Sequence, residues 1–215
     1  MLDLHAQPVN TSDDLKRAIE KGELKIEGDT ILLLGAGNII MADEGIGPLA
    51  LKYLHEHFDF PVNVGLLDVA TTGMGMLSNL EGFDHLVIID ATDNSGHPPG
   101  TVIFYTPEDL GQQQVMHTAH DQRLTDVLFA AALTGIELKS VKIVGVQIQS
   151  MEQFVLELSP PVQEALPIAC AAALHCLRDL GFESTAKAGV EVDARLMDAL
   201  QNYAPEEEFA ESEKA

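Results

Sequence analysis

Apolar positions gather in short runs, continuous at Thr30–Gly35 and broken by one polar residue in some others, most of them closed by a glycine or a polar residue. Five such runs stand out: Thr30–Gly35 (TILLLG), Val62–Asp68 (VNVGLLD), His85–Ala91 (HLVIIDA), Thr101–Tyr105 (TVIFY) and Val141–Gln147 (VKIVGVQ). Continuous rather than alternating hydrophobicity marks a strand covered on both faces. Between the runs, Gly47-Pro48 opens a helix to about His57, with proline at a first-turn position that tolerates it. A short helix is expected at Met74–Leu80, another at Asp121–Thr134 ending on Gly135, and a long one at Val162–Leu180 ending on Gly181. Thr101–Tyr105 is placed at a sheet edge. Strand and helix alternate with short connections. That pattern predicts an α/β fold, a mostly parallel twisted sheet of about five strands sandwiched by helices in a single domain.

The predicted domain spans 30–181. Residues 1–29 read as a polar N-terminal extension, in which Thr11 or Ser12 caps a helix over Asp13–Lys21. Residues 182–215 read as an acidic C-terminal tail: from Glu183 onward nine acids face three bases. So little apolar surface beside so much charge predicts a loosely held segment.

Charge narrows the function. The 215 residues carry 12 Lys and Arg against 34 Asp and Glu, a formal net charge of −22. Nucleic acid binding needs a basic surface that releases counterions, and no Lys/Arg cluster is present. An anionic membrane repels such a chain for the same reason. No apolar run reaches the roughly 18 residues of a membrane span, and the N-terminus has no secretory h-region. The acidity suits a basic protein partner, and serves solubility equally well. Cys170 and Cys176 fall in one helix about 240° apart, on different faces, where they do not bridge. Buried thiols in a reducing, cytoplasmic compartment are expected.

In a parallel sheet the working site lies beyond the carboxyl ends of the strands, where strand order reverses. The first strand is followed by Gly35-Ala36-Gly37-Asn38-Ile39-Ile40-Met41-Ala42-Asp43-Glu44-Gly45-Ile46-Gly47. A dinucleotide loop fails here because Ile40 occupies the third glycine position and the helix begins only near Gly47. The same loop carries Asp43 and Glu44. Asp43 is expected to favour the N-terminus of the following helix, whereas Glu44 is a candidate functional acid. Asp90 closes four apolar residues at the end of the third strand, where a carboxylate is costly without a partner. Asp68 ends the second strand and, with Thr71, is expected to support the loop. His117 and His120 precede the helix near Asp121. Two carboxylates and one of these imidazoles compose a divalent-metal site with open positions. No H-E-x-x-H motif occurs, since His55-Glu56-His57 lacks its spacing, and neither cysteine lies at a strand end.

The glycine-rich loop 35–47, Asp68-x-x-Thr71-x-Gly73-Met74, Ile89-Asp90-Ala91 and His120-x-x-x-Leu124-x-Asp126-Val127-Leu128 together resemble the [NiFe]-hydrogenase maturation endopeptidases, over about Thr30 to Leu180. The resemblance implies a hydrolase that removes a C-terminal extension from the hydrogenase large-subunit precursor after nickel insertion. It also implies that Glu44, Asp90 and His120 contact the metal. It selects His120 over His117 by the spacing to Leu124, and leaves Asp68, Thr71, Gly73 and His117 as supporting residues. Glu44 and Asp90 are the acids available for catalysis. Nickel carried by the substrate is the implied metal, with an intrinsic zinc or other divalent ion as the alternative. One departure is Asp68-Val69-Ala70-Thr71, where relatives usually have Asp-Gly-Gly-Thr. The rival function on this fold is a non-enzymatic metal-binding chaperone or adaptor.

Overall fold

The computed structural model describes Arg17, 28–69, 76–107, 109 and 119–202, with the helical path alone at 119–125. β1 (Ile31–Ala36) is buried throughout and leads through a 3-10 turn (Ala42–Gly45) into α1 (Ile46–His57). There follow β2 (Phe58–Asp59), β3 (Val64–Val69), α2 (Leu77–Leu80), β4 (His85–Thr92) and β5 (Val102–Tyr105). The order closes with α3 (Ala119–Leu133), β6 (Ser140–Gln147), α4 (Pro160–Asp179), β7 (Thr185–Ala186) and α5 (Ala194–Asn202).

Five strands form one sheet in the order β3-β1-β4-β6-β5. All neighbours are parallel except β5, which runs antiparallel to β6 at the edge. The chain goes from β1 outward to β3, then returns past β1 to β4. Strand order therefore reverses between β1 and β4, and Glu44 and Asp90 follow or end these two strands.

Alternation sorts the strand residues between two layers. Ile31, Leu33, Val87, Ile89, Val144 and Val146 pack with Ala50, Leu54, Ala169, Ala173 and Leu177 from α1 and α4. Leu32, Leu34, Leu86, Ile88 and Ile143 face the other way, onto Leu80, Val127 and Ala131. The five sequence-predicted strands and four main helices are all present, and their ends differ from the expected bounds by a few residues at most.

The expectation of a loosely held chain from Glu183 fails as far as Asn202. β7 pairs antiparallel with β2, matching Phe58 to Ala186 and Asp59 to Thr185. The Asp193 N–H donates to the Tyr53 hydroxyl at 2.9 Å, and α5 packs on α4. Phe182 and Leu196 are buried in the α1/α4 core, with Val192, Ala199 and Leu200 packed against it. Charge count concealed this sparse apolar stripe, and a stripe is what docks a helix. Of the expected helix over Asp13–Lys21, Arg17 alone is among the described residues, where it is helical, and Thr11 and Ser12 fall outside them.

At the amino edge, His85 bridges Ser140 (2.8 Å) and Asp29 (3.1 Å). Lys139 pairs with Asp29 at 2.6 Å and Asp84 at 2.9 Å. Hydrogen bonds from Lys139, chiefly, hold both carboxyls below their ordinary range. Cys170 and Cys176 are free and buried, as expected. Burial pushes the Cys176 thiol up to about 12 and raises that of Cys170 as well, so neither is a ready nucleophile. Among the described residues no helix is long and apolar enough to cross a membrane.

One contact sets how close α1 comes to the sheet. A side chain at Gly47 would drive into the carbonyl oxygens of Ala36 and Ile89, at the ends of β1 and β4. Gly47→Ala should therefore lose about 2 kcal/mol or more in urea denaturation, because backbone cannot step aside as a flexible side chain can. A variant within about 0.5 kcal/mol of wild type would show that this approach is not tight.

Candidate active site at the carboxyl edge of the sheet

Asp90 lies on the face of β4 that carries Leu86 and Ile88, and the register sets Gly145 of β6 beside it. It is 3% exposed, and its Oδ1 accepts the Ala91 N–H at 2.8 Å. The β-sheet thus forces a carboxylate into a nearly dry position at a strand end.

Glu44 arrives from the other side of the order reversal. It is 6% exposed and sits in the 3-10 turn that packs against β4. Its carbonyl accepts the Asn38 N–H and its own N–H donates to the Met41 carbonyl, both at 3.1 Å. The turn closes only because Gly37 has a φ of 135°, and any side chain there would strike the Glu44 carbonyl. Two acids buried at one edge, with the reversal between them, favour a cation through simple Coulomb attraction in a poorly solvated place. Oxygen donors of this kind accept hard and borderline divalent ions.

The third expected ligand comes from α3. Its last turn leads through Lys139 into β6, which begins at the amino edge, so its first turn, with Ala119 and His120, is directed toward the carboxyl edge. The His120 side chain lies outside the described residues, as do Thr71, Gly73 and His117. Among the described residues no three His, Cys, Asp or Glu side chains form a metal-holding group. Asp68 stands exposed near the end of β3, one strand beyond β1. Partial loss of water raises its carboxyl above the ordinary value.

Asp43 overturns its expected role. It is fully buried and does not serve the α1 terminus. Its Oδ2 accepts N–H groups of Gln149 and Ser150 (2.9 Å each) and the Ser159 hydroxyl (2.8 Å). Its Oδ1 accepts the Ser159 N–H at 2.6 Å. The carboxylate therefore ties the β6–α4 connection to the loop that carries Glu44. Sequence reasoning also passed over Gln147. Its Oε1 accepts the Ser95 N–H at 2.9 Å and the Ser95 hydroxyl, pinning the 93–100 loop at the same edge. The signal available was the one that exposed Asp90, a polar residue closing an apolar run.

Known proteins resemble this chain in sequence and fold. The hydrogenase maturation protease family model matches residues 48–176, which include Asp90 and His120 and begin just after Glu44. The hydrogenase expression/formation protein HupM of Azotobacter chroococcum mcd 1 is 35% identical over 163 residues, 74% of this chain and 77% of that protein. The hydrogenase 2 maturation protease of Escherichia coli K12 is 34% identical over 155 residues, covering 72% of this chain and 94% of that one. Among solved structures, the hydrogenase maturating endopeptidase HybD from E. coli superposes with a TM-score of 0.68 at 32% identity, over 75% of this chain and 99% of its own. A parallel α/β domain with acids at its carboxyl edge is thus an endopeptidase scaffold here, and the chain belongs to the hydrogenase maturation protease family.

Removing the Asp43 carboxylate takes the acceptor from three part-buried backbone N–H groups. Asp43→Ala should cost about 3 kcal/mol in denaturant unfolding. It should also speed hydrogen exchange at Gln149, Ser150 and Ser159 selectively. Unchanged protection at those amides would refute the tether.

Proposed function

We propose that this enzyme removes a C-terminal extension from the nickel-loaded precursor of a [NiFe]-hydrogenase large subunit. The nickel belongs to the substrate, and Glu44, Asp90 and His120 read its presence. One observation carries the proposal: two buried carboxylates, delivered by different elements, occupy the edge where strand order reverses. An acid pair so placed gains most from a cation that arrives with its substrate, since both carboxylates are buried away from bulk water.

Oxygen and imidazole donors are mild beside thiolates, so they touch a thiolate-held nickel without stripping it. Recognition is then a test of cargo: a precursor lacking nickel offers nothing for the trio to grip. Cleavage adds water across the peptide carbonyl. Glu44 or Asp90 takes a proton from the attacking water as the C–O bond forms; the same proton then passes to the nitrogen of the extension, which leaves as an amine when the C–N bond breaks. The metal that orients the substrate also supplies positive charge near that carbonyl.

Incubation with nickel-loaded and nickel-free precursor, followed by mass spectrometry of the products, tests both halves. Shortening is expected only with nickel. Glu44→Gln, Asp90→Asn and His120→Ala should each slow it by about 100-fold or more. Equal cleavage of the two precursors defeats nickel as the signal. Normal processing by His120→Ala removes the trio from the mechanism.

A further inference from the structure

Beside the turn that bears Glu44 the surface is unexpectedly apolar. Ile39, Ile40, Met151, Phe154 and Leu156 are 51%, 45%, 41%, 84% and 61% exposed. They come from two segments that the backbone binds edge to edge. The Phe154 N–H donates to the Ile40 carbonyl at 2.7 Å and the Ala42 N–H to the Val155 carbonyl at 2.8 Å. Met41 and Val155 form a parallel bridge. Below this lip the Asp43 carboxylate fastens Gln149, Ser150 and Ser159. The lip also rests directly on the site: a Cβ at Gly45 would stand 3.2 Å from the Ile39 Cα.

Phe154 is the extreme case. It has a φ of 64°, in the left-handed region that a bulky residue rarely enters. The rest of the lip holds this backbone, and the ring is left in water rather than in the core. Strain of this kind persists where surrounding structure over-determines it, and such places cluster at ligand clamps. Solvent-facing aromatics and aliphatics gathered in one patch mark a binding surface rather than packing. Two acids, Glu152 and Glu157, stand exposed in the same segment.

We infer that this lip, centred on Phe154, is the specificity surface of the protease. It seats an apolar stretch of the precursor polypeptide, bounded by basic side chains, and so carries the scissile bond toward Glu44 and Asp90. This rests on the proposed action on a large-subunit precursor. The occupant follows from three features on this surface: continuity with the turn of Glu44, which a polypeptide substrate has to reach, apolar side chains at its centre, and acids on its flanks. Recognition of cargo and recognition of chain are thereby divided between the proposed metal-reading trio and the exposed lip.

The test is steady-state cleavage of the purified nickel-loaded precursor by the full-length enzyme. Phe154→Asp and Ile40→Asp should raise KM about tenfold while kcat stays within about twofold, and Phe154→Leu should recover most of the loss. Phe154→Gly separates binding from folding, because glycine relieves the left-handed strain. It should keep or raise Tm and still raise KM. Glu152→Gln with Glu157→Gln should flatten the rise of KM with salt. A wild-type KM retained by Phe154→Asp and Phe154→Gly overturns the inference, as does a loss confined to kcat or matched by a fall in Tm. If wild type leaves the nickel-loaded precursor uncut, the proposed function fails instead, a result distinct from either outcome.

Discussion

A carboxylate cut off from water must be solvated by the protein, and Asp43 is solvated by a segment more than a hundred residues away. Its two oxygens gather Gln149, Ser150 and Ser159, so the loop after β1 and the loop after β6 become one rigid body. The Glu44 side of the carboxyl edge leans on that tie, together with the backbone hydrogen bonds that join the same two segments. Glu44 follows Asp43 directly, in a 3-10 turn too short to hold its own geometry. The apolar lip is formed by the two segments that Asp43 joins. Removing the carboxylate would leave the turn, the lip and the start of α4 to find separate arrangements.

Around this anchor the sheet supplies the second acid. Parallel pairing on both sides fixes β4, so Asp90 has no freedom to retreat toward solvent. Gly47 lets α1 start against the ends of β1 and β4, which brings the Glu44 turn over the same edge. On the proposed reading, the cost of burying two acids at this edge is what a substrate-borne cation offsets. Rigid, poorly hydrated carboxylates gain more from an arriving metal than mobile surface acids do, because little reorganisation is needed on contact. The net charge of −22 would add a long-range pull if the proposed substrate presents a cationic region.

Much of this was legible in the sequence, and the reasons are local. Apolar runs of strand length reported the sheet, and Gly47-Pro48 reported the start of α1. Asp90 was conspicuous because an acid closing four apolar residues violates the hydrophobic pattern. Asp43 was misjudged because its neighbours in sequence suggested a helix terminus, while its true partners are separated from it by 106 to 116 residues. No local pattern carries that information. The segment after Gly181 was misjudged for a different reason. Its acids dominate any charge count, whereas Phe182 and Leu196, two apolar residues among many polar ones, decide that it docks. The lip around Phe154 leaves no local mark in the sequence, since exposure of apolar side chains is settled by tertiary structure.

On the proposed mechanism, Glu44, Asp90 and His120 touch a nickel ion that the substrate holds. X-ray absorption at the nickel edge reads this contact directly. Nickel-loaded precursor would be measured alone, with wild-type enzyme at a temperature that stops turnover, and with the triple variant Glu44→Gln, Asp90→Asn, His120→Ala. The account predicts new oxygen and nitrogen scatterers around nickel with wild type, the sulfur shell retained, and the spectrum of the free precursor with the triple variant. Identical spectra with and without wild-type enzyme, in a sample shown to contain the complex, would contradict it.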